Sequence, residues 1–288
     1  MKRRTAVLFA LLLLSILLGA PLARAGDDVE DQLKSDYADK VLTLRHFYKG
    51  NHLHFQSDGA LVGFAEVGPW TLDGQVSVKR IRVHDRTVQI RGRRVCLVFD
   101  AKGKPPRDVL TSLAESNAKD RDKLAEPFRA NDVEIEIEFA SERPDLDQVL
   151  SAMNAVFLKS GESMRDFVPD FWQDYFDQVE GQPKTVRHSS DPVYTFKRGE
   201  VSAPRVTHQP NPEFSEEARR AKYQGTTVLS LVVDESGSTR DIEVVNPLGL
   251  GLDEKAVGAV STWKFEPGKK DGKPVPVRIA VETDFHLY

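Results

Sequence analysis

Only one cysteine, Cys96, occurs in the 288 residues, so the chain cannot close a disulfide within itself and relies on ordinary apolar cores. Cys96 lies in the continuous apolar run Val95-Cys96-Leu97-Val98-Phe99, where a buried small hydrophobe is expected rather than a nucleophile. The local signatures of catalysis are also lacking. No serine sits in a Gly-x-Ser-x-Gly turn, no glycine-rich loop is built to cradle phosphate, and no spacing of carboxylates marks a catalytic pair. Among the seven histidines, His52 and His54 share a strand face, but a His-x-His without a third ligand is weak metal chemistry. The expectation is a protein that is not an enzyme, with no catalytic residue, no metal and no cofactor.

Positive charge is scarce too. Lys and Arg number 40 against 44 Asp and Glu, a formal charge of −4. A general nucleic-acid partner is therefore not expected, because phosphate binding needs an excess of cations. The basic run Lys79-Arg80-x-Arg82 with Arg91-x-Arg93-Arg94 reads as a solvated or ion-paired sheet face rather than an anion site.

Long apolar runs are absent except at the start. Lys2, Arg3 and Arg4 precede an apolar stretch over 7–18, and Ala23-Arg24-Ala25 is a small-x-small cleavage pattern. Residues 1–25 read as a secretory signal peptide cleaved after Ala25, which places the chain in the periplasm. The alternative is an uncleaved inner-membrane anchor. Cleavage removes four cations and no acid, taking the formal charge from −4 to −8.

What remains divides into an N-terminal α+β domain (26–181), a polar linker (182–204) with Pro183, Pro192 and Pro204, and a C-terminal module (205–288). The N-terminal domain opens with a short helix expected over 29–43. It continues as a β-meander with strands near 51–56, 76–84, 87–91 and 95–100, residues 60–64 returning as a hairpin partner of 51–56. A helix is expected near 108–118. Residues 133–139 alternate strictly, with three glutamates on one face, so they are expected in the same sheet as the basic strand 76–84. Helices over 146–158 and 169–179 close the domain, the second carrying Phe171, Trp172, Tyr175 and Phe176 as core residues.

In the module, Asn211-Pro212 suggests a helix cap and first turn, with Glu213, Glu216 and Glu217 early in the helix, and Gln224-Gly225 stops it. Strands are expected over 226–233 and 239–245, joined by the turn Asp234-Glu235-Ser236-Gly237. Leu252, Ala256, Val260 and Trp263 form one helical stripe, with Asp253 and Glu254 in its first turn. A long strand follows over 275–287, after Pro274 and Pro276. Two helices can cover one face of such a three-stranded antiparallel sheet.

The order of these signals carries a resemblance. Pro212-x-Phe214, Ala218-Arg219 with Gln224-Gly225, Leu231-Val232-Val233-Asp234-x-x-Gly237, Leu252-Asp253-x-x-Ala256, Trp263-x-Phe265-x-Pro267 and Asp271-Gly272-Lys273-Pro274-Val275 follow one another at the right spacing. Together they resemble the C-terminal domain of the TonB family, from about Val201 to Tyr288. The chain departs from the frequent Pro-x-Tyr-Pro of the family at Pro212-Glu213-Phe214-Ser215.

The resemblance implies protein binding. In that family the domain receives a short extended segment of an outer-membrane receptor by strand addition beside the C-terminal strand. The implied binding edge here is Val277, Arg278, Ile279, Ala280, Val281, Glu282 and Thr283. The same edge could instead pair with a second copy of the chain. A true energy transducer needs a membrane anchor and a long stiff spacer, whereas this linker spans roughly 75 Å at full extension and has no dense proline repeat. The leading expectation is a periplasmic module that engages an envelope partner. A membrane-anchored transducer, or an exported ligand-binding or enzymatic N-terminal domain with a docking module, are the alternatives.

Overall fold

A computed structural model describes residues 25–99, 105–116, 118–183 and 192–287, with side chains from Asp28 onward. The expected signal segment up to residue 24 and the middle of the linker lie outside the described residues. The N-terminal part runs α1 (Ala25–Tyr37), β1 (Val41–Thr43), β2 (His52–Gln56), α2 (Trp70–Asp73), β3 (Gln75–His84), β4 (Thr87–Arg94), β5 (Leu97–Val98), β6 (Arg107–Asp108), α3 (Val109–Glu115), α4 (Arg121–Arg129), β7 (Asp132–Glu138), α5 (Leu146–Val156) and α6 (Asp170–Val179). It is followed by β8 (Tyr194–Thr195), β9 (Arg205–His208), α7 (Glu216–Arg220), β10 (Gly225–Val233), β11 (Thr239–Asn246), α8 (Leu252–Val260), β12 (Lys264–Glu266), β13 (Lys269–Lys270), β14 (Lys273–Pro274) and β15 (Val277–Phe285).

Five of the N-terminal strands form one sheet in the order β1-β3-β4-β7-β2. Alternation puts Leu53, Phe55, Val88, Ile90, Val133, Ile135 and Ile137 on one face, buried against Val29 and Leu33 of α1 and Val149, Met153 and Val156 of α5. A register shift in β3 between Val78 and Arg80 lets Val78 and Ile81 both point inward although they are three residues apart. The basic strand β3 and the glutamate-faced β7 do share this sheet, with β4 between them. Lys79 Nζ of β3 reaches Asp132 of β7 at 2.7 Å, and Arg91 Nε of the intervening β4 lies 3.0 Å from Glu134 of β7.

Several local expectations are corrected. The first helix ends at Tyr37, because Asp39 takes a left-handed backbone (φ 60°) and Val41–Thr43 peels off to pair with β3. Residues 60–64 do not form a hairpin strand. They return as one bridge, Phe55 to Leu61, and β2 takes β7 as its parallel partner instead. The charged stretch after α3 contains the unexpected helix α4, which buries Ala125 and Phe128.

The C-terminal module is built on a four-stranded sheet in the order β11-β10-β15-β8. The expected antiparallel trio is present, and α7 and α8 cover one face of it. Ala218, Ala221, Leu252, Ala256 and Val260 pack there on Leu229, Leu231, Val244 and Phe285. The first helix is capped by Ser215, not Asn211. Ser215 Oγ accepts from Ala218 N at 3.1 Å while donating to Leu250 O at 2.5 Å, so one hydroxyl caps the start of the helix and ties it to the loop before α8.

The core of this module is continuous with part of the N-terminal region. Trp70, the run Val95–Phe99, Trp172 and Phe176 belong to the same apolar cluster as Leu229, Leu250 and Leu252. Main-chain bonds cross the same junction. Leu250 N donates to Leu97 O at 2.9 Å, and Phe99 N donates to Leu248 O at 3.1 Å. Gly249 sits between them at φ 94°, where a Cβ would lie 2.4 Å from the Leu97 carbonyl oxygen.

Candidate binding edge

The residues singled out from the sequence all lie on β15. Its inner side is paired with β10 along its whole length, from Val277 opposite Val233 to Phe285 opposite Gly225. On the outer side, Val277 and Arg278 pair in parallel with Tyr194 and Thr195 of β8, and Tyr194 N donates to Pro276 O at 2.9 Å. From Ile279 to Phe285 no strand pairs with the outer side among the described residues. Of the seven expected edge residues, five are therefore open and two are already occupied by the chain itself.

Alternation splits this edge into two faces. Val277, Thr283 and Phe285 are buried on the helix side, with Ile279 and Val281 half-buried and packed against the same core. Arg278, Ala280, Glu282 and Asp284 point to the opposite face, where the last three are exposed. Arg278 is held there by Glu243 at 3.3 Å and Ser230 at 3.2 Å. The opposite edge of the sheet is different, because α6 packs against β11. A covered strand is poorly placed to accept another, which leaves β15 as the edge that can.

The turn and loop chemistry that shapes the module is carried by buried carboxylates. Asp253 is fully buried and accepts from Thr227 Oγ1 at 2.6 Å, Leu248 N at 2.9 Å and Gly249 N at 2.8 Å, so it fastens the β11–α8 loop to β10. Burial pushes its carboxyl up to about 6, against the pull of those hydrogen bonds. Glu254 Oε1 accepts from Trp172 Nε1 at 2.8 Å, and its Oε2 is buried with no hydrogen-bond partner. Burial, then the neighbouring Asp253, pushes Glu254 up to about 7. Both residues lie in the first turn of α8, as the sequence suggests, and Trp172 of the N-terminal part covers Glu254.

Glu254 also faces a cleft of about 1150 Å³ between the two parts of the chain, lined by Trp70, Asp73, Arg94, Glu217 and Lys255 among others. Arg94 is buried there and donates to the carbonyls of Asp73, Tyr48 (2.7 Å) and Gly50 (3.0 Å), so its role is to hold loops. Asp73 is pushed up to about 6 by burial, with the Arg94 charge opposing the shift.

His54 Nε2 lies 3.2 Å from Glu138 on the polar face of the five-stranded sheet, above a packed apolar interior. Among the described residues, no group of three or more potential ligands is arranged to hold a metal. The basic run is largely spoken for: besides Lys79 and Arg91, Arg93 binds Asp108 at 2.6 Å. Cys96 is buried, and burial pushes its thiol up to about 12, which suits a core residue and not a nucleophile. At this edge, the feature not expected from the sequence is β8. Its one signal is the β-prone Tyr194-Thr195-Phe196 inside an otherwise polar linker.

Comparison with known proteins agrees with the module. Residues 210–287 match the family described as Gram-negative bacterial TonB protein C-terminal. An 81-residue stretch is 38% identical to Protein tonB2 of Pseudomonas aeruginosa, covering 28% of this chain and 30% of that protein. Over 100 residues the chain is 31% identical to Protein TonB of Vibrio cholerae, covering 34% of this chain and 39% of that protein. The solution NMR structure of the Pseudomonas aeruginosa TonB CTD matches 32% of this chain and 92% of that chain, at 18% identity and a TM-score of 0.26. The C-terminal part of this chain is thus a TonB C-terminal domain, and the chain spans only about a third of the length of these two full-length relatives.

Proposed function

We propose that the chain is an exported envelope protein whose C-terminal domain binds an extended segment of a partner protein, of the outer-membrane receptor type, by strand addition to β15. The observation that carries this reading is the asymmetry of β15: fully paired with β10 on one side, open from Ile279 to Phe285 on the other. Open main-chain groups supply affinity to an added strand, and the alternating side chains supply selectivity. The family match of residues 210–287 supports the same reading.

On this reading the chain comprises a cleaved signal (1–25), an N-terminal domain (26–181), a linker (182–204) and the binding module (205–288). The N-terminal domain acts as a mount, because it shares a core with the module. Among the described residues no helix is long and apolar enough to cross a membrane. The full chain is therefore the right object for the test. Titrated with peptides from the periplasm-facing N-terminal segments of outer-membrane receptors, it should bind at least one, with the amide signals of residues 279–285 moving. No binding by any such peptide counts against the reading. N-terminal sequencing of the chain recovered from the envelope should begin at Gly26; a start at Met1 would favour an anchored transducer instead.

A further inference from the structure

The outer side of β15 is not uniformly free. Its first two residues carry β8, a piece of the chain's own linker, in parallel register. The pairing is reinforced on both flanks. Tyr194 N donates to Pro276 O at 2.9 Å, and Lys270 Nζ sits 4.7 Å from the centre of the Tyr194 ring. Past Thr195 the chain turns away, and a bridge between Lys197 and Val201 closes that turn. A strand added to β15 cannot occupy the positions of Tyr194 and Thr195 while β8 is in place. It is confined to residues 279–285, roughly 23 Å of edge.

The side chains along that stretch describe the occupant. On the helix side an incoming strand meets half-buried Ile279 and Val281, which favours apolar residues at every second position. On the other side it meets Ala280, Glu282 and Asp284, all exposed, which favours basic residues at the positions between. Arg278, the cation that β15 itself places on this side, pairs with Thr195 of β8 and with Glu243. A second copy of the chain fits badly. An antiparallel pairing of two β15 strands centred on Glu282 would set acid directly against acid, and like charges directly opposed across strands are destabilising.

We propose that β8 is a built-in stop that limits partner addition to residues 279–285, and that the occupant is a short extended segment alternating apolar and basic side chains. This rests on the strand-addition reading above, and its failure can be told apart from the failure of that reading. The probes are a capped heptapeptide of alternating valine and lysine, its valine–glutamate counterpart, and versions of the first lengthened by two residues at either end. Affinities are measured by calorimetry on the full chain.

The lysine heptapeptide should bind roughly fivefold tighter than the glutamate one, and the preference should reverse in the Glu282→Lys/Asp284→Lys double variant. Equal affinities, or a preference unchanged in the variant, overturn the assigned chemistry but leave strand addition standing. Lengthening should gain nothing in the wild-type chain. It should gain about tenfold in Tyr194→Pro, which removes the N–H that binds Pro276 and frees two more edge positions. Thr195→Pro provides a second route to the same release, and circular dichroism verifies that each variant is folded. A gain of equal size in wild type, or none in both folded variants, overturns the stop. If no peptide binds, or if one N-methylated at alternate residues binds as well as its parent, strand addition itself fails.

Discussion

Trp172 Nε1 donates to Glu254 Oε1 at 2.8 Å, and this bond joins the aromatic helix of the N-terminal part to the first turn of α8. Around it Trp172 meets Trp70 edge-on at 5.4 Å and Tyr175 at 5.5 Å. The C-terminal module is thereby joined to the N-terminal part through a packed aromatic core.

Trp172→Ala should destabilise the chain by about 3–5 kcal/mol, the usual cost of emptying a large aromatic site. Because the apolar cluster is shared, the loss should be felt in both parts. Urea unfolding followed by far-UV circular dichroism and by NMR signals of β3 and β10 should give coincident transitions, all shifted to lower denaturant.

Glu254→Gln should stabilise the chain at neutral and alkaline pH. The folded-state pKa of Glu254 is raised to about 7, above its unfolded value. A raised carboxyl contributes stability that is fully present below the unfolded pKa and is lost as pH rises through the folded one. Glutamine keeps an acceptor for Trp172 but has no charge to bury. The variant should match wild type near pH 4 and exceed it by about 1–3 kcal/mol at pH 8. Urea unfolding at the two pH values checks the sign; a variant less stable than wild type at pH 8 contradicts it.

Ser215→Ala should cost about 1–2 kcal/mol, because one hydroxyl caps α7 and also binds Leu250 O. Asn211→Ala should change stability by under about 0.5 kcal/mol, the norm for a surface site. Thermal unfolding of the pair separates the cap that the structure shows from the one the local sequence suggests.

Gly249→Ala should destabilise by more than about 1 kcal/mol, since it combines a left-handed backbone with a clash against the Leu97 carbonyl. The damage should centre on the junction. Hydrogen exchange at Leu250 and Phe99, whose amides cross it, should rise more than exchange within β10.

Much of this architecture was legible in the sequence where the signal is local. The stripe Leu252, Ala256, Val260 and Trp263 is buried as its spacing requires, and the Asp234 turn forms with its carboxylate accepting from Ser236 N and Ser238 N, both at 2.9 Å. What escaped depends on distant partners. The aromatic stripe of α6 announces burial but not that Glu254 and Leu252 lie opposite. The parallel pairing of β2 with β7 joins segments some 80 residues apart in sequence. Ser215 caps α7 through a local contact with Ala218 N, and only its second bond, to the Leu250 carbonyl 35 residues away, lies beyond any local pattern. The edge strand was found from the family resemblance, while β8, only two residues long, carries too few alternating positions to declare itself.

Amide hydrogen exchange on the full chain, with and without the valine–lysine heptapeptide, tests the central claim most directly. In the free chain the amides of residues 279–285 pointing away from β10 should exchange fast while those bonded to β10 are protected. The peptide should then protect the outward set and little else. Outward amides already protected in the free chain, or protection appearing elsewhere while β15 stays unchanged, would contradict it.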